Sequence, residues 1–154
     1  MKDDEVSLLE LVEVHIINAI APFVINSRLK PLMTRTNSDK YIINVSSAEG
    51  RFNAGNKSWR YPHTNMAKAA LNQMTRTCAS EYAQQSIFMN AVDSGWVSFQ
   101  QPYPDVEAMK HQGVKLRLDA TDSAARICDP ICMGSTEQKY FQSKLFRNYR
   151  EISW

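Results

Sequence analysis

The sequence predicts an α/β fold in which a short parallel sheet of three strands is packed with helices. Two observations lead to this prediction. Helix-like and strand-like segments alternate along the chain, from a first helix to a last strand, as in sheets whose strands are joined by crossover helices. The first two strand-like segments are almost continuously apolar, as strands covered on both faces are. A length of 154 residues suits one domain, so residues 1–154 are predicted to fold as a unit.

The first element is a long helix, predicted from residue 7 to about residue 33. Its apolar residues cover most of the helix circumference, which predicts burial on more than one side. Pro22 lies inside the helix and predicts a kink, because proline donates no backbone hydrogen bond and its ring crowds the preceding turn. The apolar residues are Leu8, Leu9, Leu11, Val12, Ile16, Ile17, Ile20, Phe23, Val24 and Leu32.

The next elements form a strand–helix–strand unit. Residues 41–45 and 87–92 are the two apolar strands, and a polar loop over residues 51–62 leads into a helix over residues 64–84. Apolar residues recur in this helix at a spacing of three or four, which predicts one buried face. That face consists of Ala67, Leu71, Met74, Cys78 and Tyr82.

The C-terminal third is predicted to add one helix and one strand. Residues 99–118 carry Pro102, Pro104 and Gly113, so we expect mostly irregular structure there. Residues 122–133 form a helix, and residues 140–146 form the last strand. The helix residues expected to face the core are Ala124, Ile127, Cys128 and Ile131.

Composition excludes several classes of function. The formal net charge of +2 is too close to neutral to indicate binding to nucleic acid. The longest apolar stretch, residues 12–25, contains three polar residues and is too short to span a bilayer, so no transmembrane segment is predicted. The acidic start MKDDEVSLLE disfavours a signal or transit peptide. Three cysteines without a C-x-x-C motif predict an intracellular, reducing compartment.

The loop GRFNAGNKS, residues 50–58, is similar to a phosphate-binding P-loop but departs from it in two ways. The P-loop needs a lysine directly after its second glycine, whereas Asn56 separates Gly55 from Lys57. The motif should also open a helix, whereas Pro62 restrains Tyr61 from helical geometry. We therefore interpret the segment as a polar loop.

Four segments, INAIAPF, IINVSSAEG, HTNMAKAALNQMTRTCASEYA and IFMNAVDSGWV, follow one another in a specific order and spacing. Together they resemble the C-terminal half of the short-chain dehydrogenase/reductase family, over about residues 12–97. The resemblance implies a partial Rossmann-like fold. It also implies that Asn18, Ser47 and Lys68 match the family's catalytic asparagine, serine and lysine, the last of which also binds the nicotinamide ribose. Ser94 and Gly95 match the Pro-Gly turn that contacts the nicotinamide.

The chain departs from the family at the position of the general acid. The family's tyrosine lies four residues before the lysine, and Thr64 stands there. An aliphatic hydroxyl is a far weaker acid than a phenol, and losing an aligned general acid typically costs about 10²- to 10⁴-fold in rate. A subgroup of family-like sequences also reads H-T-N-M-A-K, and it resembles this chain again at DSAARICDP and LFRNYREISW. We therefore interpret the threonine as inherited.

A second departure concerns the dinucleotide. The sequence contains no G-x-G-x-x-G turn, with which the family holds the pyrophosphate. We expect the family's N-terminal half, about 80 to 100 residues in a βαβαβ unit, to be absent from a truncated domain. We therefore expect this chain to bind no cofactor by itself. NAD(P) is expected only if another chain supplies the missing half. Because the cofactor carries the hydride, its loss would abolish the reaction.

Each family-matched residue also has a purely structural interpretation. Asn18 suits a hydrogen bond to a neighbouring backbone group in a kinked helix, and Ser47 suits the end of a strand. Thr64 suits the N-cap of its helix, where its hydroxyl would accept from a first-turn N–H. Lys68 suits a solvated charge.

Other side chains were weighed as chemical groups. Tyr61 and His63 lie close to the tyrosine position and are the alternative acids, although no spacing fixes their geometry. Cys128 and Cys132 are four residues apart on one predicted helix and could share a metal. No further His or Cys stands at ligand spacing, so we predict no metal site and buried small side chains instead.

Two functions from different classes remain open. The first is a catalytically inactive structural or docking subunit of a larger assembly. The second is part of an NAD(P)-dependent oxidoreductase whose nucleotide-binding half comes from another chain. The missing tyrosine favours the first. Partner chains are predicted against helices 7–33 and 64–84, which in the family pack against a second subunit, and against the strand edge at residues 41–45.

Overall fold

The computed structural model describes residues 1–55, 57–99 and 103–154, and it confirms the α/β class. Interpretations that involved Asn56 and Pro102 lie outside the described residues. In chain order the elements are a 3₁₀ turn (Asp3–Glu5), α1 (Leu8–His15), a π-helical turn (Ile16–Ile20), α2 (Ala21–Met33), β1 (Lys40–Ser46), a second 3₁₀ turn (Ala48–Gly50), α3 (Pro62–Ala83), β2 (Ile87–Asp93), α4 (Tyr103–His111), α5 (Ala120–Glu137), β3 (Leu145–Arg147) and β4 (Arg150–Ile152).

The sheet has the strand order β1-β2-β3-β4 and is mixed. Strands β1, β2 and β3 are parallel, and β4 runs antiparallel to β3. The prediction of three parallel strands is therefore corrected to four strands, and the predicted strand over residues 140–146 narrows to Leu145–Arg147. The missed strand follows a two-residue hairpin turn in which Asn148 and Tyr149 both have positive φ, 49° and 63°. Glycine usually marks such turns, and none stands here.

The first helix is continuous from Leu8 to Met33 but changes its winding in the middle. Over Ile16–Ile20 it forms a π-helical turn, after which the Ala21 N–H donates to the Ile16 carbonyl, five residues earlier. Pro22 cannot donate the next helical hydrogen bond, and a wider turn makes room for its ring. The structure thus shows a π-helical turn beside Pro22, and a kink there stays a prediction.

The long helix is more exposed than its sequence predicts. None of its residues is buried within the chain, although it contacts α3 and β1. By length and composition alone it could cross a membrane, since its most apolar 18-residue window has a mean hydropathy of 1.8. The expectation of no transmembrane segment, drawn from residues 12–25, stays a prediction. Core helices of soluble proteins meet the same criteria of length and composition.

The core lies between α3 and the middle of the sheet. The predicted apolar face of α3 is confirmed: three of its residues are buried, and Met74 and Cys78 pack against the core cluster from its edge. Strand β2 is buried along almost its whole length, because β1 and β3 flank it. The core cluster consists of Ile42, Ala79, Tyr82, Ile87 and Met89.

The C-terminal third differs from prediction in two respects. Residues 103–111 form α4 instead of an irregular segment, and Gly113 ends it with a positive φ of 76°, as glycines do after helices. Helix α5 is longer than predicted and packs on the sheet through Ser123, Pro130 and Gly134. Cys128 and Cys132 are exposed, so the prediction that they are buried is wrong.

Candidate functional site

The carboxyl ends of three parallel strands meet at one edge of the sheet. The register pairs Ser46 with Asp93, and Asp93 with Arg147, so the last residues of β1, β2 and β3 lie in one row. A cavity of about 200 Å³ opens beside this row. Its lining residues are Ser47, Ala48, Glu49, Asp93, Gly95, Trp96 and Arg147. In open α/β sheets, ligands bind at this end of the strands.

Lys68 reaches the sheet from α3 beside this cavity. Its Nζ donates a hydrogen bond to the Val45 carbonyl at 2.9 Å. Partial burial lowers the pKa of the Lys68 ammonium, and the negative charge of Glu49 opposes the shift in part. Lys68 is thus half-buried and bonded to the backbone of β1, so its charge is only partly solvated.

Ser47 lies directly after β1 and lines the cavity. Its backbone is extended, and its Oγ donates to Glu49 Oε2 at 3.2 Å. The hydroxyl proton is therefore engaged, and the oxygen keeps lone pairs with which to accept. The position of Ser47 directly after β1 agrees with its interpretation as a residue of the strand end. The same position puts Ser47 at the carboxyl edge of the sheet.

Thr64 is not the N-cap of its helix, contrary to the structural interpretation of the sequence. Helix α3 begins at Pro62, because Tyr61 adopts a left-handed conformation (φ 59°, ψ 49°) and Pro62 suits the first helical position. Thr64 is therefore the third helical residue. It lies one turn before Lys68, and it is not among the residues that line the cavity.

Asn18 is engaged within its own helix. It lies in the π-helical turn, and its Nδ2 donates to the Val14 carbonyl at 3.0 Å. The structure thus supports the interpretation of Asn18 as a helix-stabilising residue. The π-helical turn packs against α3, but Asn18 is not part of the cavity lining.

The two alternative acids face other parts of the chain. His63 is only 4% exposed, and its Nε2 lies 3.4 Å from Glu10 Oε1 on α1. The Tyr61 N–H donates to the Met1 carbonyl. His63 therefore belongs to the contact between α1 and α3, and neither residue lines the cavity at the carboxyl edge.

The turn after β2 places Ser94 and Gly95 beside the cavity. Gly95 has a φ of 86°, and its N–H donates to Asp93 Oδ1 at 3.0 Å. This left-handed φ favours glycine, whereas the space does not require it, since a Cβ would meet only the flexible end of the Leu118 side chain, at 2.6 Å from Cδ1. Among the family-matched positions, the structure brings Ser47 and Gly95 into one lining. It leaves Asn18, Thr64, Lys68 and Ser94 outside that lining.

Sequence reasoning missed a buried polar network between β1 and α3. Ser46 Oγ donates to Asn72 Oδ1 at 2.5 Å, and Asn72 Nδ2 donates to the Gly50 carbonyl. One turn further, Asn44 Nδ2 donates to Thr75 Oγ1. A signal for this network was present in the sequence. Asn44 and Ser46 are polar residues at alternate positions of the otherwise apolar strand IINVSS. Sequence reasoning also missed Asp93 and Arg147.

The fold and motifs define a member of an oxidoreductase class. A family model described as enoyl-(acyl carrier protein) reductase matches residues 3–123. The chain therefore belongs to the short-chain dehydrogenase/reductase family, as its motifs predicted, and it corresponds to the C-terminal part with threonine at the tyrosine position.

Solved structures share this fold. The NADPH-bound carbonyl reductase from chicken fatty liver matches with a TM-score of 0.69 and 21% identity, over 100% of this chain and 61% of that chain. The carbonyl reductase Sniffer of D. melanogaster matches with a TM-score of 0.72 and 18% identity, over the same shares of the two chains. The present chain thus spans about three fifths of these structures.

A curated relative is similar in sequence. An uncharacterised protein of Acanthamoeba polyphaga mimivirus is 30% identical over 148 residues, which cover 92% of this chain and 29% of that protein. The similarity therefore extends through nearly the whole chain, but it concerns less than one third of the relative.

Proposed function

We propose that this chain is a non-catalytic member of the short-chain dehydrogenase/reductase family that serves as a docking subunit of a larger assembly. The observation that carries the proposal is the surface of the helix Leu8–Met33, which we call the apolar helix surface. Eleven of its large apolar side chains are between 44% and 75% exposed. They are Leu8, Leu9, Val12, Ile16, Ile17, Ile20, Phe23, Val24, Ile25, Leu29 and Leu32.

The edge of the sheet supports the same function. Strand β1 is paired with β2 on one side, and no described strand covers its other edge. An uncovered edge of an apolar strand presents backbone N–H and C=O groups that pair readily with another chain. The apolar helix surface and this edge belong to contacting elements, so one partner could cover both. The free thiols Cys78, Cys128 and Cys132 fit a reducing intracellular compartment.

The site residues support a non-catalytic role. Thr64 offers an aliphatic hydroxyl where the chemistry needs a phenol. The Lys68 ammonium is bonded to the Val45 carbonyl. The 154 residues contain no glycine-rich turn with which backbone could approach a pyrophosphate. Hydride transfer needs a cofactor that these residues are not equipped to hold.

Titration calorimetry of the chain with NADH and NADPH tests the non-catalytic part of the proposal. We expect no binding tighter than roughly 100 μM, about −5.5 kcal/mol. Tighter binding would show that a dinucleotide site exists within these residues, and it would contradict the proposal.

The second candidate is an oxidoreductase completed by another polypeptide. The cavity that retains Ser47 and Gly95, with Lys68 nearby, favours it. In that case the solved carbonyl reductases suggest NADP(H) as cofactor and a small carbonyl compound or alcohol as substrate. A neighbouring polypeptide with a strand and a glycine-rich turn abutting Ser47 would support this candidate, whereas neighbours of unrelated fold would support docking.

A further inference from the structure

We propose that the cavity at the carboxyl edge of the sheet binds a small zwitterionic aminocarboxylic acid, with Arg147 holding the carboxylate and Glu49 the ammonium group. This inference concerns ligand binding without turnover, and it does not depend on the docking function. Its two charged ends, Arg147 and Glu49, are not among the family-matched residues, whereas Ser47 contributes one acceptor.

The basic end of the cavity is built around a buried carboxylate. Asp93 is 4% exposed, and its Oδ1 accepts from the Gly95 N–H. Its Oδ2 has no hydrogen-bond partner among the described residues, and Arg147 Nε lies 3.4 Å from it. The strand register holds this pair in place, because Asp93 and Arg147 are opposite one another in the ladder of β2 and β3.

Arg147 keeps donors for a ligand. Its ion pair with Asp93 uses the Nε side of the guanidinium, and the side chain is 44% exposed. Within the part of the chain that the structure describes, the only polar side-chain contact of Arg147 is this ion pair through Nε, so its two terminal nitrogens have no partner there. An arginine that is fixed on one side and free at its terminal fork matches the planar geometry of a carboxylate.

The acidic end of the cavity accepts hydrogen bonds. Glu49 lines the cavity and accepts from Ser47 Oγ, so the Ser47 oxygen can itself only accept from a ligand. A carboxylate offers about four lone-pair sites, most of which remain at Glu49 after this single bond. An ammonium group, with three donors and a positive charge, complements these two acceptors.

Charge and size select the ligand class. Two carboxylates, Glu49 and Asp93, and one guanidinium line the cavity. A plain anion would meet the charge of Glu49, and a plain cation would leave the Arg147 fork without a partner. Trp96 is 48% exposed and provides an apolar wall. A volume of about 200 Å³ suits a ligand of amino-acid size, since drug-sized ligands occupy roughly 300–1,000 Å³.

Titration calorimetry of the 154-residue chain with three probes tests the proposal. L-phenylalanine carries both charged groups and an aromatic side chain, 3-phenylpropionate lacks the ammonium group, and phenethylamine lacks the carboxylate. We expect L-phenylalanine to bind with a Kd below about 1 mM and the other two probes at least about tenfold more weakly. Equal affinity for all three, or no detectable binding of L-phenylalanine, would overturn the proposal.

Substitutions test which residue holds the carboxylate of the ligand and which holds its ammonium group. Arg147→Gln should weaken L-phenylalanine binding at least about tenfold. Arg150→Gln is the matched control, because Arg150 faces Arg147 across the hairpin, is exposed and does not line the cavity. Glu49→Gln should weaken L-phenylalanine and strengthen 3-phenylpropionate, since it removes the repulsion of an anion. Circular dichroism establishes that each variant is folded. The assignment would be contradicted if Arg147→Gln and Arg150→Gln bound L-phenylalanine with the same affinity. It would also be contradicted if Glu49→Gln ranked the three probes as the parent chain does.

Discussion

Lys68 retains its position in the family pattern, but its surroundings give it a structural bond. The ammonium donates to the backbone carbonyl of Val45, and Glu49 is the nearest charge that acts on it. Four residues earlier, Thr64 replaces the acid that a family lysine normally serves. The hydrogen bond to Val45 thus ties Lys68 of α3 to the backbone of β1.

The pKa of Lys68 gives a first prediction. Burial lowers the pKa of its ammonium below the ordinary value, and Glu49 opposes this. Glu49→Gln should therefore lower the pKa of Lys68 further. The unfolded chain binds more protons than the folded chain between the two pKa values, so this group makes stability rise with pH in that window.

Competitive acetylation of the folded chain at several pH values, followed by peptide mass analysis, measures the titration of Lys68. The expected midpoint lies below the reference value of about 10.4 for a free lysine. A midpoint at or above that value, or one that Glu49→Gln raises, would be inconsistent with this environment.

Thr64→Tyr is predicted not to create activity. The substitution restores a phenol but supplies no dinucleotide site, and residues of a catalytic group act as a unit. Oxidation of NADPH, followed by absorbance against a panel of small carbonyl compounds, should stay at the parent's background, as should a Thr64→Ser control. Turnover above that background would refute the prediction and support the oxidoreductase candidate.

At the scale of elements, β1 and α3 are joined by buried polar contacts. Asn72 accepts from Ser46 Oγ and donates to the Gly50 carbonyl, and it is 4% exposed. Asn72→Ala leaves both partners buried without a hydrogen bond, which we expect to lower the free energy of unfolding by about 1–3 kcal/mol. Gln73→Ala, at the exposed neighbouring position, should change it by less than about 0.5 kcal/mol. Urea denaturation measures both, and equal effects would count against a network role for Asn72.

Helix α5 approaches β1 at a glycine. A Cβ at Gly134 would lie 2.5–2.8 Å from atoms of the Tyr41 ring. Gly134→Ala should therefore destabilise the chain by about 1–3 kcal/mol, although alanine is the better helix former. In a Tyr41→Ala background the same change should stabilise by about 0.5–1 kcal/mol. Thermal unfolding of the parent, the two single variants and the double variant measures these stability changes. The proposed clash would be disproved if Gly134→Ala changed the stability in the same direction in both backgrounds.

The sequence predicted those elements whose signals are local and periodic. The face of α3, the apolar strands β1 and β2 and the change at Pro22 all follow from residue spacing. Helix α4 was missed because Pro104 was interpreted as a breaker, whereas it lies in the first turn of the helix, where proline is tolerated. Strand β4 was missed because its turn lacks glycine. Thr64 was misplaced because the left-handed Tyr61 starts the helix two residues early.

The site was only partly predictable for a related reason. The motifs singled out Ser47 and Gly95, which the structure brings into one lining, because a known pattern fixes their spacing; the roles of these residues and of Lys68 stay predictions. The pair of Asp93 and Arg147 is formed by strand register between residues 54 positions apart, and no local pattern indicates it. The same holds for Gly134, whose role depends on the distant ring of Tyr41.

At the scale of the whole molecule, the dominant feature is the apolar helix surface beside the uncovered edge of β1. Specific protein interfaces bury roughly 1,200–2,000 Å² and exclude water from a central apolar cluster. A helix that exposes apolar side chains around much of its circumference is suited to such an interface. We therefore place the main contact of the proposed docking subunit on this helix, with α3 and the β1 edge at its margins.

Sedimentation velocity at micromolar concentration tests the docking claim most directly. Ile17, in the π-helical turn, is 67% exposed, whereas Phe52, 90% exposed, lies in the loop that follows the turn Ala48–Gly50. We predict that the parent chain associates with itself through the uncovered surface, that Ile17→Glu shifts it toward monomer, and that Phe52→Glu leaves it unchanged. A parent chain that sediments as a monomer and unfolds cooperatively, or an Ile17→Glu chain that associates as the parent does, would contradict the account.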